Sequence, residues 1–158
     1  MDNEKTIDAL NSLIVINNDR IEGYKTAEAE AKETDLKMLF SDLMETSVSI
    51  RKELVAEVKQ LGGTVEEGTR ITGKFFRMWM DVKAAFTGDD RKTILDSCEY
   101  GETVAIDLYK KILIEDHQNT AENQQDMLNR HHGLLTADRS KIIQLRDAIV
   151  DNKREVTL

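Results

Sequence analysis

The absence of proline is the feature that most constrains the fold of this chain, because proline breaks helix interiors and none occurs in 158 residues. Glycine is also sparse, at eight residues, and aromatic side chains make up only 5% of the composition. Sandwiches and barrels depend on frequent turn residues and on many β-branched and aromatic side chains. The composition therefore favours long helices over an all-β fold.

Apolar residues recur at alternating steps of three and four in four stretches, which is the period of an amphipathic helix. The first predicted helix covers about residues 4–33, with a seam through Ile7, Leu10, Ile14, Asn17, Ile21 and Tyr24. The second ends at Gly62-Gly63, where glycine can adopt a positive φ. The third starts from a cap at Asp89 or Asp90 and ends near residue 114, and the fourth runs from after residue 119 to about residue 149. Polar residues also enter the later seams, at Ser47, His131 and Asp138.

The lengths of the connections predict how the four helices are arranged. The first and third turns are short, whereas the link between the second and third helices is long and carries its own amphipathic stretch at 71–86. We therefore predict an all-α, ferritin-like four-helix bundle over residues 1–150, with an extra short helix in the crossover and a charged, flexible tail at 151–158. A linear up-down bundle with an extra helical hairpin remains the alternative, because periodicity gives helix faces and not packing order.

Net charge restricts the partners of the chain. At −8 it would repel a phosphate backbone or an anionic membrane, so we expect no nucleic-acid binding and no membrane association. No stretch approaches the roughly 20 apolar residues of a spanning helix, and the start of the chain does not resemble an export signal. The single cysteine, Cys98, cannot form an internal disulfide. These features predict a cytoplasmic protein.

Several acidic and histidine side chains fall at matching heights along the predicted helices. Glu22 and Glu45 lie about equally far from the first turn, and Glu102 and His132 lie about equally far from the third. Carboxylates and imidazoles that converge inside a helical bundle are the ligands of di-iron and di-manganese centres. We therefore predict a mid-bundle layer that binds iron or manganese, and its candidate metal ligands are Glu22, Glu45, Glu99, Glu102 and His131.

The ligand pattern is incomplete, since di-metal bundles carry Glu-x-x-His on two helices. Val48 stands where the second helix would need histidine, and no glutamate stands three residues before His131 or His132. These two histidines point about 100° apart on a helix, so only one can face the core, and the sequence leaves open which. The alternative hypothesis is that these polar residues form a buried hydrogen-bonded network or flank the seams at their solvated edges.

Six segments occur in a characteristic order, at 18–24 (NDRIEGY), 61–63 (LGG), 79–85 (WMDVKAA), 88–90 (GDD), 98–102 (CEYGE) and 144–148 (QLRDA). Together they resemble a bacterial family of unknown function, over nearly the whole chain. The resemblance implies a ferritin-like four-helix bundle found in cytoplasmic proteins, some of them linked with stress responses. Similarity to the wider ferritin-like superfamily would assign metal-ligand roles to Glu22, Glu45 and Glu102, and less directly to Glu99 and His131.

Two classes of function follow from these observations. The first is a cytosolic ferritin-like protein, related to stress, with a metal-binding carboxylate layer. The second is a non-catalytic helical interaction module, which would bind a partner through Phe75, Phe76 and Trp79 of the crossover helix or form a homodimer. The structural alternative for that helix is that its apolar residues cover the bundle. We find no Ser-His-Asp order, phosphate-binding glycine loop or zinc-finger spacing, so the sequence predicts no particular enzyme.

Overall fold

The computed structural model describes residues 3–68 and 90–156, with side chains up to residue 149. These ranges form four long helices: α1 (Asn3–Glu30), α2 (Thr34–Gln60), α3 (Arg91–Glu115) and α4 (Glu122–Val156), with a 3-10 turn at His117–Asn119. The predicted all-α helical bundle is confirmed. The extra helix predicted at 71–86 lies outside the described residues. Helix α4 continues to Val156, within the range where the sequence predicts a charged tail.

The helix ends follow the local sequence. Asp90 is the N-cap of α3, where its side-chain oxygens accept hydrogen bonds from the Thr93 amide at 3.2 Å and the Thr93 hydroxyl at 2.6 Å. At the end of α2, Gly62 has a φ of +78°, and the amides of Gly62 and Gly63 donate to the carbonyls of Lys59 and Val58. This is the Schellman arrangement, in which glycine supplies the left-handed residue that stops the helix.

The helices pair as two hairpins, α1 with α2 and α3 with α4. Arg91, at the start of α3, forms ion pairs with Glu33 and Asp35, so this end lies beside the turn between α1 and α2. The Thr6 hydroxyl near the start of α1 donates to the carbonyl of Asn119, so the far end of α3 lies near the start of α1. Helices α2 and α3 therefore run in the same direction, and the link that joins them begins and finishes at opposite ends of the bundle.

Among the described residues, the apolar core consists of two clusters. One lies towards the start of α1 and includes Leu10, Leu13, Ile14, Leu54, Tyr109, Leu128 and Leu135, and the other lies towards its end and includes Tyr24, Phe40, Leu43, Leu95, Cys98 and Ile142. Every helix contributes to both clusters. Between them the buried residues are polar, and this boundary is the candidate site.

Candidate functional site

Five buried side chains lie at the boundary between the two apolar clusters, and we call them the polar layer: Asn17, Arg20, Ser47, Glu102 and Asp138. Their residues are at most 4% exposed, and Asn17, Ser47 and Glu102 are fully buried. On α1 they continue the inward-facing stripe, because steps of three and four residues lead from Asn17 to Arg20 and then to Tyr24. All four helices therefore bring a polar group to the same level.

Arg20 bonds to each of the other three helices. Its guanidinium meets Glu102 of α3 with Nε donating to Oε1 at 3.0 Å and Nη2 donating to Oε1 and Oε2 at 2.8 and 2.9 Å. Nη1 donates to the Ser47 hydroxyl of α2, and Nη2 approaches Asp138 Oδ2 of α4 at 3.4 Å. A planar guanidinium suits this arrangement because its donors are fixed in a fork that matches a carboxylate.

Tyr24 completes the surroundings of Glu102. The Tyr24 hydroxyl donates to Glu102 Oε1, and the Arg20 guanidinium lies 5.5 Å from the centre of the Tyr24 ring. Burial, together with the charge of Glu102, raises the pKa of Tyr24 well above its ordinary value, so the phenol remains a donor. Burial alone would lower the pKa of Arg20, but Glu102, Tyr24 and Asp138 raise it overall, so Arg20 carries a full charge.

A chain of hydrogen bonds leads from Arg20 towards the surface. The Ser47 hydroxyl, which accepts from Arg20, donates to Asn17 Oδ1 at 2.8 Å. Asn17 Nδ2 donates to the Tyr109 hydroxyl at 3.3 Å, and that hydroxyl lies 3.4 Å from His131 Nδ1. Because Asn17 supplies a donor to the Tyr109 oxygen, the Tyr109 proton is free to bond to His131 Nδ1.

The outer end of this chain is Glu53 on α2. His131 Nε2 lies 2.5 Å from Glu53 Oε2, and Arg130 holds the same carboxylate through two bonds of 2.7 and 3.0 Å. Burial lowers the pKa of His131 despite the opposing effect of Glu53, which favours the neutral imidazole at pH 7. The carboxylate that faces Nε2 and the phenol that faces Nδ1 favour the tautomer with its proton on Nε2. Arg130 lowers the pKa of Glu53, whose side chain is 37% exposed. Each hydrogen bond of this chain is therefore donated in the direction that leads from the buried Arg20 guanidinium to the partly exposed Glu53 carboxylate.

The structure does not bring the five predicted metal ligands together. Glu22 and Glu45 are exposed, which corrects the expectation that they face each other inside the bundle. Glu99 lies at the outer seam between α3 and α4, where it pairs with Arg139 at 3.0 Å and with Arg146. Glu102 belongs to the polar layer, while His131 is bound to Glu53.

The reason for the difference is rotation about the helix axis. Glu22 is five residues beyond Asn17, which places it about 140° from the buried stripe at 100° per residue. Within the part of the chain that the structure describes, no group of three or more His, Cys, Asp or Glu side chains could hold a metal ion. Of the two histidines that the sequence left open, His131 is fully buried and faces the core.

Sequence reasoning missed Arg20, which it passed over in favour of Ile21 for the seam of the first helix. Ile21 is only partly buried, whereas Arg20 is 4% exposed. The signal was present, since Asn17, Arg20 and Tyr24 keep the helical spacing as well as Asn17, Ile21 and Tyr24 do. Glu53 gave no comparable signal, because a carboxylate at the edge of a seam resembles any solvated glutamate.

The fold and the polar layer define this chain as a helical bundle with a compensated charge in its core. It belongs to the family described as Domain of unknown function (DUF2383), whose model matches residues 5–116. The matched range includes Arg20, Ser47 and Glu102 but ends before α4, so Asp138 and His131 lie outside it. No curated protein matches the chain. Among the described helices, none is long and apolar enough to cross a membrane.

Proposed function

We propose that this chain is a non-catalytic helical interaction module in which the polar layer specifies how the four helices pair. The observation that supports the proposal most directly is that a single side chain, Arg20, bonds to Glu102, Ser47 and Asp138 on the three other helices. In this arrangement the buried charges are directed at one another. The outer surface of the bundle is then the part available for a partner or a second copy.

The position of the layer gives it this role. Apolar contacts alone do not fix the register of a helix, since a shift by one turn replaces one leucine contact with another. A polar layer between two apolar clusters does fix it, because any shift would move Arg20 or Glu102 into an apolar cluster. A buried charge without its partner costs about 3–5 kcal/mol, which is enough to exclude the shifted packing. Specification of register is the best-attested use of buried polar groups.

The metal-binding hypothesis receives less support from this geometry. Both oxygens of Glu102 already accept bonds from Arg20, and Oε1 also accepts one from Tyr24. Binding of iron or manganese and a role in stress stay predictions. A ferritin-like chain order is part of the proposal, and its support is that α2 and α3 run in the same direction, as a long crossover requires.

The proposal is tested by replacing the layer with apolar residues, in the variant Arg20→Met/Glu102→Met/Asp138→Leu. We expect it to remain helical and as resistant to urea as the wild type, because hydrophobic replacement of a buried ion cluster is often neutral or stabilising. We also expect it to lose unique packing, with broadened amide signals in NMR spectra and binding of the dye ANS. The control is Arg139→Met/Glu99→Met, which removes a partly exposed ion pair. Amide spectra of the triple variant as sharp and dispersed as those of the control would refute the proposal.

Anaerobic titration with Fe(II) and Mn(II) tests the rival hypothesis on the same protein. We expect no stoichiometric uptake by the wild type above that of the variants Glu22→Ala and Glu45→Ala. Uptake at one or two ions per chain that either substitution abolishes would favour the metal centre instead. Metal analysis after gel filtration gives the count directly.

A further inference from the structure

We infer that the polar layer is a cation-binding site whose cation is the guanidinium of Arg20, and that this occupancy closes the site to metal ions. The inference deepens the proposed function, on which it rests, because it identifies what the carboxylates of the layer bind. A bundle of this kind suggests a metal between its interior carboxylates. Here a side chain of the protein takes that position.

The first argument comes from the number and direction of the bonds. Four oxygen atoms of three side chains, one on each of the other helices, converge on the Arg20 guanidinium: both oxygens of Glu102, the hydroxyl of Ser47 and Oδ2 of Asp138. The Tyr24 ring adds a favourable contact with its face, at 5.5 Å from the guanidinium carbon. An oxygen-rich pocket with an aromatic wall is suited to a planar organic cation.

The second argument comes from charge. Glu102 and Asp138 are both buried, with side chains 0% and 4% exposed, and two carboxylates this close require positive charge nearby. Arg20 supplies this positive charge from inside the layer. Lys141, at the rim of the layer, lies with its Nζ 3.8 Å from Asp138 Oδ1. A divalent ion could reach both carboxylates only by displacing the guanidinium, which would then itself be buried without an anion. The residues present therefore do not fit a metal between these carboxylates.

The test empties the site by Arg20→Ala and offers a free cation in its place. We expect Arg20→Ala to melt well below the wild type and to recover stability in millimolar methylguanidinium, whereas the neutral analogue methylurea has no such effect. A ligand at about five times its Kd raises the melting temperature of a chain of this size by roughly 3 °C. Two controls should not respond, namely Arg139→Ala, which empties a surface pair, and Arg20→Ala/Glu102→Gln/Asp138→Asn, which removes both carboxylates of the layer.

An equal response of Arg20→Ala to methylguanidinium and methylurea would overturn the inference. If Arg20→Ala does not fold under either condition, Arg20→Lys and Arg20→Met decide the question, since they differ in charge and little in length. The inference requires Arg20→Lys to melt at a clearly higher temperature than Arg20→Met, and equal melting temperatures would refute it.

Mn(II) binding to the wild type separates failure of this inference from failure of the proposed function. Binding that is saturable and lost in Glu102→Gln would show that the layer accepts a metal despite Arg20, and the inference would fail. Binding that persists unchanged in Glu102→Gln would place the metal elsewhere, which counts against the proposed function and leaves Arg20 as the cation of the layer. Absence of saturable binding supports both.

Discussion

Ser47 provides the sharpest test of whether the polar layer is a closed network. Its hydroxyl has two roles, because it accepts a bond from Arg20 Nη1 and donates one to Asn17 Oδ1 at 2.8 Å. The substitution Ser47→Ala removes one oxygen atom and leaves both partners in place. Ser47 is fully buried, so solvent does not reach the stranded groups directly.

The expected loss of stability follows from these two bonds. Each buried group left without its partner costs about 1–3 kcal/mol, with bonds to charged groups at the upper end. Arg20 and Asn17 each keep other bonds, so we take about 2–4 kcal/mol for the pair of losses. Alanine is the better helix former by roughly 0.5 kcal/mol, which reduces the net effect to about 1.5–3.5 kcal/mol. A loss of this size lowers the melting temperature by roughly 5–10 °C.

The measurement is urea unfolding followed by circular dichroism at pH 7, with Ser49→Ala as the matched control. Ser49 lies two residues further along the same helix and is exposed, so its substitution tests helix propensity alone. We expect the control to be unchanged or slightly more stable than the wild type. A free energy of unfolding for Ser47→Ala within about 0.5 kcal/mol of the control would refute the closed network, because the stranded groups would then have found other partners.

Three further predictions follow from the same structure. Gly133→Ala should stabilise the chain by about 0.5–1 kcal/mol, because Gly133 lies on a helix and an added Cβ meets nothing within 4 Å. Gly63→Ala should destabilise the chain, because the added Cβ would lie 2.8 Å from a methyl group of Ile7. Urea unfolding measures both effects. The free energy of unfolding should decline as pH falls from about 6.5 towards the lowered pKa of His131, because in that window the unfolded state binds a proton that the folded state does not. The urea midpoint of His131→Gln should fall less over the same pH range. In NMR titrations, Tyr109→Phe should raise the pKa of His131, because it removes a hydrogen-bond donor to the neutral ring. Glu53→Gln should lower the pKa of His131 further, because it removes an anion next to the ring. Shifts of the same sign in both variants would contradict the direction of the hydrogen-bond chain.

The helices were predictable from sequence because their periodicity is carried by many apolar residues at once. One misplaced residue does not change the period, so the predicted stretches agree with α1 to α4 to within a few residues at all ends except the last. The cap at Asp90 and the positive φ of Gly62 were predictable for a different reason. At these positions local backbone chemistry, rather than packing, selects the residue.

The candidate site was less predictable because it depends on helix rotation as well as height. Counting from the turns placed Glu22 and Glu45 at a common level, but a difference of one residue turns a side chain by about 100°. The same uncertainty hid Arg20 behind its neighbour Ile21. An apolar pattern favours the isoleucine, and only the presence of Glu102 and Asp138 on other helices makes arginine the buried residue. Sequence periodicity of one helix contains no information about what the facing helices present.

The arrangement of these bonds also determines how the bundle can open. Within each hairpin the two helices lie close together, whereas the two hairpins lie further from each other. At the middle of that interface Arg20 joins the first hairpin to Glu102 and Asp138 of the second. A small separation that did not yet admit water would draw the guanidinium away from two carboxylates inside a dry interior, where unpaired charges are most costly. We therefore expect the hairpins to dock cooperatively, because a partly separated position would keep the apolar faces dry while the charges lose their partners.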